Sequence, residues 1–458
     1  MAPTVRWFSA EFEPLDLVDR FPEAYPGLLE SAAASASRTG GRYDILPFAS
    51  GECLRLDGDG SISGPCAGEG GFLEALDRWW RELRMSHAPD AAAGAPADSL
   101  PFSGGWLLYL GYELAAQIEH CLVLPASPDP VVALALRAPA AWLKDRATGN
   151  AWLVAEDGHE NLLDEFERRV AGLGPASPVA HVAYHAGEEE PAKFLSAVER
   201  ALEYTAAGDV YQTNLSRLWL AHAPRQMHPV DLYKRLRRTN PGPFAAILRH
   251  EDFAILSSSP ERLVTVRGRR ASTRPIAGTR PRGATDEADR VLIRSLLENE
   301  KERAEHVMLI DLERNDLGRV CVGGSVRVDE YMSVESYAHV HHIVSNVRGD
   351  LRDGVSPADV IRALFPGGTI TGCPKIRTMQ IIAELEGVGR GAYTGSIGYL
   401  NRDGSCDLNI LIRTITAHAA TLKFRAGAGI VADSIPAQEL AETRAKAEGL
   451  LRALRMPA

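Results

Sequence analysis

The sequence predicts a mixed α/β protein of the α+β type, on three observations. Short apolar runs at 106–110 and 131–136 suit strands. Residues 194–207 carry apolar side chains at helical spacing and lead into a strand-like run at 210–220. Two longer segments, 286–311 and 436–454, each read as a single helix. Between these elements the small, Pro/Ala-rich stretch 86–99 reads as a mobile surface loop, and the polar stretch 186–191 as a break. No internal repeat is visible. A boundary near residue 190 separates an N-terminal subdomain (1–190) from a region (191–458) that carries the chemistry.

A chain of 458 residues buries a large core, as two or three domains or one large one. The net charge of −10 argues against nucleic acid as the main partner, because phosphate binding needs a basic face. A small anionic substrate is still compatible, since a metal ion and a few arginines make a site locally positive. No apolar run approaches the ~20 residues needed to span a membrane, and residues 1–13 lack the layout of a signal peptide. The six cysteines contain no Cys-x-x-Cys pair, so neither a zinc site nor a disulfide framework is expected. Free thiols in a reducing cytoplasm are.

Two pairs of carboxylates stand out. Glu302 and Glu305 are three apart, hence on one helix face, and Glu439 and Glu442 repeat the spacing with Lys446 one turn on. Alone, each pair reads as solvated surface. Brought together they would repel unless a cation lay between them, and an all-oxygen site is what Mg²⁺ prefers. Glycine-rich runs at 365–372, 393–399 and 426–430 read as tight turns whose backbone N–H groups approach an anion. None is a P-loop or a dinucleotide fingerprint. The run GPCAG at 64–68 has the spacing of a nucleophile elbow. It lacks a preceding apolar strand, and no His-x-Glu pair exists in the chain, so a surface turn is expected.

Together, SPER at 259–262, RPIAGTRPRG at 274–283, DLERNDLGR at 311–319, FPGGTITGCPK at 365–375 and GAGIVADS at 427–434 resemble the chorismate-utilising enzymes. The five motifs stand in the family's order from residue 192 to the end. The resemblance implies two stacked antiparallel sheets forming a sandwich with helices packed outside. It implies Mg²⁺ held by Glu305 and Glu442, with Glu302 and Glu439 alongside through water. Glu261 matches the general acid that protonates the departing C4 hydroxyl, a role suited to a carboxyl kept neutral by burial. Tyr393 and Arg413 match the clamp on the enolpyruvyl carboxylate. Lys446 and the backbone of Gly427, Ala428 and Gly429 match the grip on the other carboxylate, and His342 and Thr369 match further active-site positions.

Relatives that use water carry a lysine base where this chain has Gln212, which an uncharged amide cannot replace; ammonia, already nucleophilic, needs none. Two amidating families remain; the scattered signatures outweigh one position and favour the first, with the second kept as the alternative. The aminodeoxychorismate synthase component I family, on the route to p-aminobenzoate and folate, is favoured by YQTNL at 211–215, the glycines of FPGG at 365–368 and WLLYLGYE at 106–113. The anthranilate synthase component I family, on the route to tryptophan, is favoured by Ala277. Many of the first family carry there a lysine that attacks C2 covalently; without it ammonia or water must add at C2 directly. GLLES at 27–31, Arg42, Tyr43 and NPGPF at 240–244 resemble a tryptophan pocket, naming Leu29, Ser31, Pro243 and Phe244; whether tryptophan fills it is left open. With no glutaminase centre in the chain, glutamine-dependent activity implies a separate glutaminase subunit. A non-catalytic regulatory subunit is the reading from another class, against which the intact set Glu261, Glu305, Glu442, Arg413 and Lys446 argues.

Overall fold

A computed structural model describes residues 3–32, 41–85, 100–174, 182–223, 228–283, 285–336 and 340–455. The loop expected at 86–99 lies outside the described residues. Among those described, the strands form two sheets in which every pairing is antiparallel. The first sheet runs Thr4–Phe8, Ala151–Ala155, Ala140–Asp145, Tyr43–Phe48, Gly27–Glu30, Phe244–His250, Phe253–Ser259, Thr414–His418, Thr421–Ile430, Gln212–His222 and Ala186–Glu188, with Gly372–Cys373 added beside Gln212–His222. The second runs Ile276–Pro281, Val340–Asp350, Arg270–Thr273, Arg262–Arg267, Cys406–Asn409, Ser396–Asn401, Gly105–Leu110, Val131–Ala138, Cys53–Asp57 and Ile62–Ser63, with Arg327–Ser336 beside Val340–Asp350.

Side-chain alternation along the strands turns this pairing into a sandwich. One set of alternating residues packs sheet on sheet: Leu107, Tyr109, Leu134 and Leu136 of the second sheet meet Ala246, Leu248, Phe253 and Ile255 of the first. The opposite faces carry the helices. Trp219, Ile247, Leu256, Ile415 and Phe424 lie under Leu17, Phe166, Leu236 and Leu450. Leu108, Val264 and Leu408 lie under Leu76, Ile310 and Ile361. This is the α+β sandwich expected from the sequence. Residues before and after 190 contribute to both sheets. Among the described residues no helix is long and apolar enough to cross a membrane, and all six cysteines are free.

Three expectations need correction. The single helix expected over 286–311 is two, Asp286–Glu298 and Glu300–Gly318. Asn299 separates them with an extended backbone, and its side chain accepts from the Glu302 N–H as an N-cap. The polar break at 186–191 contains an edge strand, Ala186–Glu188, paired with the 212–222 strand. The glycine run 426–430 is the end of a strand, not a turn.

Candidate active site

The chain crosses from one sheet to the other just after Ser259 and again just before Thr414. Glu261 lies in the first crossing and Arg413 in the second. The backbone ties the two together: the Ile410 N–H donates to the Glu261 carbonyl, and the Ser258 N–H to the Arg413 carbonyl. Arg413 holds a left-handed backbone, φ 51°, the kind of strained conformation that clusters at functional sites.

Glu261 is buried, and burial pushes its carboxyl up to about 7 against the opposing influence of Thr369, Lys446 and Arg413, which face it. Among the described residues, neither its buried Oε1 nor the buried Thr369 hydroxyl has a partner in good hydrogen-bond geometry. A group poised near neutrality can give up a proton at physiological pH. Burial lowers the proton affinity of the Arg413 guanidinium, which the negative charge of Glu261 partly restores. Burial, then the nearby positive charge of Arg413, pushes His342 down to about 4, so its ring is neutral at pH 7. Ala277 lies on the neighbouring strand, opposite Ile343.

A glycine floor completes this group. Gln212 and Asn214 share one face of their strand with Gly427 and Gly429 of the next. A methyl group on Gly429 would come within 2.3 Å of Gln212 Nε2. One on Gly427 would meet the Leu215 carbonyl at 2.5 Å, the Tyr393 hydroxyl at 2.6 Å and Asn214 Oδ1 at 2.9 Å. Glycine is needed because side chains from the facing elements occupy that space. Gly427→Ala is therefore expected to destabilise the fold by about 1–3 kcal/mol, read as a lower midpoint in urea; an unchanged midpoint would contradict this packing. Ala428, between them, faces away, into a cluster with Phe194, Val198 and Leu215. Only its backbone is available to a ligand, which is the part the resemblance assigns to the carboxylate grip. Lys446, on helix Pro436–Arg455, donates to the Gly427 carbonyl at 3.0 Å.

The motif carboxylates are placed unequally. Glu302 Oε1 pairs with Arg280 at 2.6 Å, while its Oε2 is buried with no hydrogen-bond partner among the described residues. It lies against Gly278, where a methyl group would come within 2.6 Å of it. Glu442 pairs with Lys446 at 2.7 Å, both about half exposed. Glu305 and Glu439 are half-buried. Among the described residues no three His, Cys, Asp or Glu side chains stand close enough to hold a metal. Mg²⁺ commonly takes one or two protein carboxylates and completes its shell with substrate and water oxygens. The donor type and the orphaned Glu302 oxygen suit that mode.

Two groups within the motifs carry no role in the sequence reading. Lys375 pairs with Asp316, joining the 365–375 run to the helix of 311–319. Glu313, from the same helix, is buried, and burial, reinforced by Asp316, pushes its carboxyl up to about 8. Gly368 admits this helix: a methyl there would come within 2.3 Å of Leu312. A charged residue inside an otherwise apolar helical stripe was the available signal.

Leu29, Arg42, Tyr43, Pro243 and Phe244, expected to form a pocket, line one cavity of about 220 Å³ between the sheets. Ser31 stands beside it, its hydroxyl bonded to the Gly41 carbonyl. Arg262 and Asp407 close the far wall as an ion pair at 2.9 Å. Cys66, in the 64–68 turn, lies 3.3 Å from Glu82.

The profile of the family described as chorismate binding enzyme matches residues 55–452. Aminodeoxychorismate synthase component 1 of Bacillus subtilis is 42% identical over 407 residues, 85% of this chain and 83% of that protein. Anthranilate synthase component 1 of Thermus thermophilus is 43% identical over 370 residues, 78% of this chain and 79% of that one. The crystal structure of anthranilate synthase component I from Streptococcus pneumoniae superimposes with a TM-score of 0.79 at 30% identity, covering 91% of this chain and 93% of that one.

Proposed function

The chain belongs to the chorismate binding enzyme family, and from that premise we propose that it aminates chorismate to 4-amino-4-deoxychorismate, a precursor of p-aminobenzoate and folate. The observation that carries the chemistry is Glu261, a buried carboxyl near neutrality between an arginine and a lysine. Chorismate is a dicarboxylate whose C4 hydroxyl leaves poorly. Arg413 with Tyr393 takes the enolpyruvyl carboxylate, and Lys446 with the 427–429 backbone takes the ring carboxylate. Glu261 passes its proton to the C4 oxygen as the C4–O bond breaks, so that water departs. Mg²⁺, held by Glu305 and Glu442 with Glu302 and Glu439 alongside, would supply Lewis-acid polarisation of the ring carboxylate.

Ammonia is the nucleophile in this reading, because Gln212 offers no base for water. It comes from glutamine through a separate glutaminase subunit. With Ala277 in place of an amine-bearing side chain, no covalent adduct to the protein forms there. Ammonia or water adds at C2 as the C4 hydroxyl leaves, and ammonia then enters at C4 as the C2 group is expelled. The 211–215 and 365–368 signatures and the Bacillus relative support release of the 4-amino product. Ala277 and the Thermus relative support the second reading, loss of pyruvate from a 2-amino intermediate to give anthranilate. Tryptophan is the ligand proposed for the cavity between the sheets, its ring against Leu29, Pro243 and Phe244.

Incubation with chorismate, Mg²⁺ and an ammonium salt, followed by mass-resolved chromatography, is expected to show 4-amino-4-deoxychorismate, converted to p-aminobenzoate on adding the corresponding lyase. Dominant fluorescent anthranilate with no p-aminobenzoate would move the chain to the tryptophan route.

A further inference from the structure

Behind the glycine floor lies a buried ion cluster of two arginines and one glutamate. Glu386 Oε1 accepts from Arg390 Nη2 at 2.6 Å, and its Oε2 accepts from Arg390 Nε at 3.1 Å and Arg425 Nη2 at 3.2 Å. All three residues are at most 5% exposed. Ion pairs this deep cost more in desolvation than isolated pairs return, unless further hydrogen bonds complete them. The further bonds here reach active-site backbone. Arg390 Nη2 donates to the Asn214 carbonyl at 2.7 Å, and its Nη1 lies 3.4 Å from the Ile370 carbonyl and 3.4 Å from the Thr394 hydroxyl. Its guanidinium carbon stands 5.5 Å from the Tyr393 ring centre.

We propose that Arg390 is a positioning residue that locks three substrate-binding segments into one block: the strand bearing Gln212 and Asn214, the turn bearing Thr369, and Tyr393. The inference rests on the reading that Thr369 and Tyr393 meet chorismate. Glu386 holds the guanidinium plane from behind, so the fork reaches two carbonyls on separate segments while its face supports the tyrosine ring. A lysine ammonium keeps the charge opposite Glu386 but lacks the planar fork that serves both segments. The site then loses its registration before the fold loses its ion pair.

The test is Arg390→Lys beside Arg390→Met, with the parent protein as reference. Circular dichroism melts report folding; steady-state kinetics with chorismate and ammonium report the site. Arg390→Lys is expected to melt closer to the parent than Arg390→Met does, yet to raise KM for chorismate by about tenfold or more with KM for ammonia unchanged. Parental KM values in Arg390→Lys, with only the melting temperature lowered, would overturn the proposal and leave Arg390 a fold residue. A parent protein that neither binds nor consumes chorismate would overturn the functional reading, and this inference with it.

Discussion

Replacing Glu261 with glutamine is expected to lower turnover by roughly 10²–10⁴-fold, the usual cost of losing a general acid, while chorismate still binds. Glutamine keeps the shape and the neutral state but has no proton acidic enough for a departing hydroxide. Because the carboxyl lies near 7, parental kcat should fall as the pH rises through that value, and the residual activity of the variant should not follow it. The same burial has a stability consequence. The folded-state value is raised above the ordinary 4.5, so stability is fully present below pH 4.5 and is lost as pH rises through 7. At about 1.4 kcal/mol per tenfold change in proton affinity the loss is about 3 kcal/mol. Glutamine never ionises, so Glu261→Gln should be more stable relative to the parent at pH 8 than at pH 4.5. Urea titrations at the two pH values, with steady-state kinetics, check both halves. Normal turnover in the variant would make Glu261 structural and send the search to another acid.

What the sequence made legible follows the range over which each signal acts. Helix Pro191–Ala206 and strand Gln212–His222 lie within a few residues of where the 194–207 and 210–220 patterns put them, because periodicity is local. The break at Asn299 is local too, but a cap residue inside a continuous helical pattern is outweighed by the flanking periodicity. Gly427 and Gly429 read as a turn because glycine favours turns. Their place in a strand comes from Gln212, Asn214 and Tyr393 filling the space above them, which only the assembled sheets reveal. Glu261 was found through its motif and Arg413 through its match to the family's clamp position; that both lie at crossings between sheets was not visible there. The Arg390–Glu386–Arg425 cluster was missed altogether. Arg390 and Glu386 are four residues apart, a spacing that reads as an ordinary surface pair, although the helix ends at Glu386, and Arg425 joins them only through the sheet.

Changing Glu305 or Glu442 to alanine is expected to abolish chorismate turnover with the fold largely intact, and a chelator should do the same to the parent protein. The physical case begins with charge. Glu302 and Glu305 extend from one helix, and Glu439 and Glu442 from another. Arg280 neutralises one member of the first pair and Lys446 one member of the second. The orphaned Glu302 oxygen is buried, where a carboxylate oxygen without a donor is costly. A divalent cation would answer that cost, with substrate and water oxygens supplying the rest of its ligands. The Glu442–Lys446 pair is about half exposed on both sides, so its loss costs roughly 0–1 kcal/mol and cannot itself unfold the chain. Stability and turnover should therefore separate. Thermal melts of both variants should stay near the parent, while kcat/KM falls below detection and calorimetric titration with Mg²⁺ in the presence of chorismate loses its heat. Lys446 sharpens the test in Glu442→Ala. Released from its partner, the ammonium is free to hold the substrate carboxylate, so chorismate binding persists even as turnover stops. Full activity of both variants in metal-free buffer would remove Mg²⁺ from the reading and leave Glu302 and Glu442 as ion-pair partners of Arg280 and Lys446.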